Sequence, residues 1–315
     1  MTSPPVTAAA LVRRRTWWHT GAVLAVLLCA VYLGGRHWPL VASGAGRLAA
    51  ADRGWLLVGA AAALATWACA ALAQQGAVAE RLPGARLLAA QFAASAANHV
   101  LPAGLGAGAV NLRFLMRCGL PAGRSASALA VKAAAGALTR AVLIAVLAAA
   151  CPGVLRFPHL PGTTVAAALA AAAVVIVLLR GPLRSGCGRV LGAVLADIRA
   201  VHRRPQRAAA LWGGSLAFAA AHCLVLIAVT HAVRLPLAPA RVALLYLAAS
   251  SAAALLPTPG GLGSLDAALA FALTTAGAPG AEAASAVLGY RLLTVWLPLV
   301  PGLLVLGALI RRRAV

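Results

Sequence analysis

Carboxylates are the scarcest chemical group in this chain: five Asp and Glu stand against 27 Lys and Arg in 315 residues. With so few acids there is no carboxylate pair placed for general acid–base work. Lysine is nearly missing too, since Lys132 is the single one and the other basic residues are arginine. The six cysteines form no CxxC pair, and several lie inside apolar runs where cysteine acts as a small hydrophobe, so neither a disulfide framework nor a metal site is expected. GxSxG, P-loop, GxGxxG and HExxH patterns are also missing, which removes the common nucleophile, nucleotide and zinc-hydrolase signatures. No cofactor is expected.

What the chain has in abundance is apolar surface. It is 63% hydrophobic and 10% charged, with a mean hydropathy of +0.92, against about 45–50% apolar and about 25% charged for soluble domains. The expectation is therefore a single polytopic, all-α integral membrane domain over 1–315. Runs near 17–35, 54–73, 125–151, 162–180, 208–231 and 286–310 each approach the ~20 residues that cross a bilayer core as helix. The net charge of +22 is read as arginine at segment ends meeting an anionic bilayer surface rather than nucleic acid.

Positive-inside reasoning puts Arg13, Arg14 and Arg15 in the cytoplasm within a 1–16 terminus, and Arg311, Arg312 and Arg313 likewise in 311–315. The first run is expected to be an uncleaved signal anchor. The basic linker 181–207 is also assigned inside, and its apolar residues recur at helical spacing, as in a helix on a membrane surface or a solvated linker helix. Five apolar stretches separate Arg15 from Arg180, yet the number of crossings must be even. The stretch 87–110 is therefore expected to turn back at Pro102-Ala103-Gly104. In the second half, 242–256 and 264–276 are each too short to span, which suits a hairpin dipping in, although three tilted crossings satisfy the parity equally.

The two breaks resemble each other, "VLPAGLG" at 100–106 and "LLPTPGGLG" at 255–263. Paired Pro/Gly interruptions in two halves of a membrane chain point to a transport site in an inverted arrangement. Helices restarting near Gly106 and Ser264 would turn unpaired N–H groups toward the breaks, and such ends bind anions such as a lipid phosphate. Asn98, Gly104, Gly260, Gly261 and Gly263 shape these breaks, and Arg113 is positioned by sequence to add a bidentate contact. Asp266 reads as a helix cap, a partner of Arg291 or a contact for a cationic headgroup. Lys132 and Arg140, two turns apart, have no acid near them in sequence, so a cavity receiving an anionic group is expected at them. His222 and His231 read as packed or interfacial histidines.

These residues carry a family resemblance. "LPTPGGLGSLDAALAFALTTAG" followed by "LGYRLLTVWLPLVPGLLVL" resembles the C-terminal signature of the lysylphosphatidylglycerol synthase transmembrane (flippase-like) family. The matching residues are Pro257, Pro259, Gly260, Gly261, Gly263, Asp266, Tyr290 and Arg291. Asn98, the Leu-Pro break, Arg113 and Gly119 extend the resemblance into the first half. It implies a membrane domain of a bacterial cell membrane that moves lipids between leaflets. The expected cargo is an anionic or aminoacylated phospholipid or a polyprenyl-phosphate lipid. In bifunctional members a soluble aminoacyltransferase domain follows, so this chain is expected to be a stand-alone member.

The full expectation is about six transmembrane helices plus two re-entrant hairpins, with both termini cytoplasmic. The other readings are a membrane-embedded lipid-modifying enzyme and a non-catalytic partner of a separate synthase or glycosyltransferase. The topology predicts that an impermeant thiol reagent applied from one side modifies only one of Cys118 and Cys151. Modification of both from the same side would exclude a re-entrant 87–110.

Overall fold

The computed structural model describes residues 46–100, 105–152, 199, 202–254 and 263–311, and the fold is all-helical there. The expected crossings at 17–35 and 162–180, most of the 181–207 linker, and the break residues 101–104 and 255–262 lie outside the described residues. The long helices are α1 (Arg53–Gly76), α4 (Ala122–Ala150) and α5 (Pro205–Ala232). The short ones are α2 (Gly84–Val100), α3 (Leu105–Arg117), α6 (Pro239–Ala253), α7 (Ser264–Thr275), α8 (Gly280–Arg291) and α9 (Leu297–Arg311). A π-helical turn, Leu292–Trp296, joins α8 to α9 into one rod.

Among the described residues four helices are long and apolar enough to cross a bilayer: α1, α4, α5 and the α8–α9 rod. By contrast α2, α3, α6 and α7 have 17, 13, 15 and 12 residues, roughly 18–26 Å of helix against ~30 Å of hydrocarbon. The α2–α3 unit is an antiparallel hairpin. Gly106 lies on the Ala97 backbone, and further from the turn Gln91 bonds Asn111. A Cβ at Gly106 would stand 2.1 Å from the Ala97 carbonyl oxygen, so the hairpin closes only with glycine there. Helices α6 and α7 pack on each other, and both contribute to the largest buried cluster.

The tightest long-helix contact is between α1 and α5, which run antiparallel. Gly59 meets Ala228, Ala73 meets Gly214, and Gly76 meets Leu211. Small residues at such contacts let two backbones approach, which is where packing energy between helices in lipid comes from. The end where α1 starts and α5 finishes is fastened as well. Asp52 caps α1 through Gly54 and Trp55, its own N–H donates to the Ala232 carbonyl, and Trp55 stacks on His231 with ring centroids 4.6 Å apart.

The π turn has an identifiable cause. Pro298 has no N–H, so the carbonyl one turn back loses its α-helical partner, and the ladder widens to an i→i−5 bond from Leu297 to Leu292. Thr294 lends its hydroxyl to the Tyr290 carbonyl at 2.7 Å, one of the local adjustments that keep a backbone satisfied near proline.

Cys118 and Cys151 flank α4 at its two ends. Burial pushes the Cys118 thiol up and the nearby Arg86 pulls the other way, so its alkylation gains rate as pH rises. Adjacent glycines on α5 give a sharper test of packing. A Cβ at Gly214 would meet the Ala73 backbone nitrogen at 2.5 Å, whereas at Gly213 it meets nothing within 4 Å. Gly214→Ala is expected to lose about 1–3 kcal/mol by overpacking, and Gly213→Ala to be neutral or gain up to ~1 kcal/mol of helix propensity. Melting of both variants in detergent checks this; equal midpoints would contradict the α1–α5 register.

Candidate functional site

A cavity of about 970 Å³ opens between the α2–α3 hairpin, α1, α4, α5 and α6. Its α4 wall is one helical face: Leu129, Lys132, Ala133, Gly136, Ala137, Arg140, Ala141 and Ile144 follow at three- and four-residue steps. Alanine is the commonest residue of the wall, and the polar groups converge on it from several elements. Gln91, Ser95, Asn98 and Asn111 come from the hairpin, Ser215 and His222 from α5, Ser251 from α6 and Thr294 from the π turn.

Lys132 and Arg140 each lean on a different short-helix unit. The Lys132 ammonium donates to Gln91 Oε1 at 3.0 Å; Gln91 Nε2 donates to Asn111 Oδ1 at 2.6 Å, and Asn111 Nδ2 to the Ala107 carbonyl at 2.9 Å. This chain ties α4 to both arms of the α2–α3 hairpin. Arg140 reaches the other way, its Nη1 donating to Ser250 Oγ on α6 at 2.9 Å. In hydrocarbon such polar side chains must be satisfied by protein or by a wet cavity. Here both kinds of environment are present.

Beside Arg140 stands an aromatic cluster. His222 Nδ1 lies 3.0 Å from the Tyr290 hydroxyl, which donates to the Tyr246 hydroxyl at 3.0 Å. His222 is half-buried and lines the cavity, while Tyr246 and Tyr290 are buried behind it. His222 is thus more than packing: it is the cavity face of a three-residue hydrogen-bonded unit across α5, α6 and α8.

Asp266 and Arg291 form a separate centre. Arg291 Nε donates to Asp266 Oδ1, and Asp266 Oδ2 accepts the Gly263 N–H at 2.8 Å. One carboxylate therefore does two of the jobs expected of it, capping α7 and pairing with Arg291. Gly263 has φ +84°, a left-handed conformation that favours glycine. Arg291 is 5% exposed and neither residue lines the cavity. The helix restart at Ser264 is thus served by the chain's own carboxylate.

The structure therefore sorts the expected site residues. Asn98, Lys132 and Arg140 share the cavity; the first turn of α3 also faces it through Ala107 and Gly108, while Gly106 is taken up in the hairpin contact. Tyr290 touches the cavity through His222. Arg113 is exposed on another face of α3 and does not line the cavity. Gly104, Gly260 and Gly261 lie outside the described residues. Sequence reasoning did not single out Asn111, Tyr246 or Ser250 as site residues. For Asn111 the signal was an amide inside an apolar helix; Ser250 carried none, because helix backbone carbonyls satisfy serine hydroxyls anywhere.

Because Asp266 partners a buried guanidinium, Asp266→Ala is expected to cost about 3 kcal/mol by leaving that charge unpaired. Asp266→Ala with Arg291→Leu should recover part of the loss, and thermal melting in detergent measures both. A double variant no more stable than the single one would contradict the coupling.

Comparison with curated proteins finds no match to this chain. The family model of the lysylphosphatidylglycerol synthase TM region matches residues 22–302. That span holds the hairpin, α4 with Lys132 and Arg140, the aromatic cluster and the Asp266–Arg291 pair. The chain belongs to the lysylphosphatidylglycerol synthase transmembrane family, as a membrane protein of flippase-like kind.

Proposed function

We propose that this protein moves a phosphate-bearing lipid between the leaflets of a membrane, with the headgroup passing through the α2–α6 cavity while the acyl or prenyl chains stay in lipid. The observation that carries the reading is the cavity itself. A space of about 970 Å³ is the size of a ligand pocket, and its walls combine alanine with a few converging polar groups. Both short-helix units reach it, which is where broken segments place substrate sites in membrane carriers. No nucleotide-binding motif occurs in the sequence, so movement is read as passive or ion-coupled. Arg113, Gly104, Gly260 and Gly261 are assigned in this reading to the approach of the headgroup at the breaks. The bacterial cell membrane with both termini inside remains the proposed setting, and a separate synthase or glycosyltransferase the proposed supplier of the lipid.

Gly136 allows a direct test. It lines the cavity between the two cations, and a Cβ there meets nothing within 4 Å, so Gly136→Trp fills the cavity from a wall that tolerates a side chain. Gly307→Trp on α9, where a Cβ also meets nothing within 4 Å, is the control. In liposomes with fluorescent phospholipids, the wild-type protein should exchange lipid between leaflets without changing its mass. Gly136→Trp should slow exchange by at least roughly tenfold, about 1.4 kcal/mol on the barrier, and Gly307→Trp should not. A changed lipid mass would instead indicate an enzyme, and unchanged exchange in Gly136→Trp would remove the cavity from the pathway.

A further inference from the structure

We propose that the headgroup held in this cavity is a phosphate ester without an amine, clamped over Gly136 between Lys132 and Arg140. The inference rests on the lipid-translocation reading and narrows it to a ligand class, with net-cationic aminoacylated headgroups excluded.

Geometry supplies the clamp. Lys132, Gly136 and Arg140 lie at successive four-residue steps on the α4 face that opens on the cavity, so the two cations are about 12 Å apart along the axis. Both side chains are long enough to bend toward the middle, and the glycine between them leaves that middle open. Donors remain for a ligand. Lys132 has three N–H groups and Arg140 five, yet each makes one hydrogen bond among the described residues. A phosphate monoester or diester has the acceptor oxygens and the charge to meet both ends.

Charge accounting supplies the selectivity. The chain has five carboxylates, and four are committed elsewhere: Asp52 caps α1, Glu80 pairs with Arg124, Asp266 with Arg291 and Glu282 with Arg47. The fifth, Asp197, lies outside the described residues. No acid lines the cavity, so among the described residues neither Lys132 nor Arg140 has a counter-charge. Intramembrane cations are costly unless neutralised, and an arriving anion does this. A headgroup carrying amines brings further positive charge into the same low-dielectric space with no carboxylate to receive it, which acts against it.

Full-length protein in detergent can be presented with equimolar phosphatidylglycerol, lysyl-phosphatidylglycerol and a long-chain polyprenyl phosphate, and the retained lipid read by native mass spectrometry. Phosphatidylglycerol or the polyprenyl phosphate should be retained at least roughly tenfold over the lysylated lipid, and the stronger of the two names the source of the phosphate. Lys132→Gln and Arg140→Gln should each cut that retention roughly tenfold, the scale of one charge-assisted hydrogen bond, while Lys132→Arg preserves it. Equal or greater retention of the lysylated lipid, no retention of any, or unaltered preference in both Gln variants would overturn the inference. The wild-type comparison stands even where a variant does not fold. Selective retention without exchange in liposomes would leave the headgroup class standing and remove the translocation reading; exchange that ignores the headgroup would do the reverse.

Discussion

A positive charge inside the hydrocarbon layer has to be given partners, and this chain has almost no carboxylates with which to do it. That constraint organises the helices around α4. With the described acids committed at helix caps and ion pairs, the two cavity-lining cations of α4, Lys132 and Arg140, are held by neutral groups: an amide relay on one side and a serine on the other. Neutral partners satisfy donors without cancelling charge. The cavity between the partners therefore keeps a positive character that a closed ion pair would have removed.

The same partners tie separate units together. Lys132 fixes the α2–α3 hairpin through Gln91 and Asn111, and Arg140 fixes α6 through Ser250. The α1–α5 pair has the opposite construction, with backbones in contact through glycine and alanine. Dispersion between such surfaces is lost steeply with separation.

Much of this was legible in the sequence, for physical reasons. Hydrocarbon thickness imposes a length, so α1, α4 and α5 could be located to within a few residues from apolar runs alone. Proline and glycine interrupt the backbone ladder, so the hairpin break and the restarts at Leu105 and Ser264 were readable too. Asp266 and Arg291 could be paired because acids are so few that the choice of partner was narrow. Helix phase relative to neighbours was the illegible part. Arg113 lies two residues beyond Asn111, close to 200° around the helix; Asn111 meets Gln91 and the cavity, and Arg113 does not. Nothing in the α3 sequence alone says which face the hairpin will cover.

The Asp266–Arg291 centre bears on the same question from the other side. Its residues belong to the strongest motif in the chain, yet they stand away from the cavity and bond to each other and to the backbone of Gly263. What they hold is the start of α7 against the end of α8, one residue from Tyr290 and at the edge of the π turn. Tyr290 in turn reaches His222 and Tyr246, and His222 faces the cavity. A shift of Arg291 would move Tyr290 with it, because the two are adjacent on one helix. The motif bears on the cavity by position: through Tyr290 it touches the one imidazole that the cavity presents among its described residues.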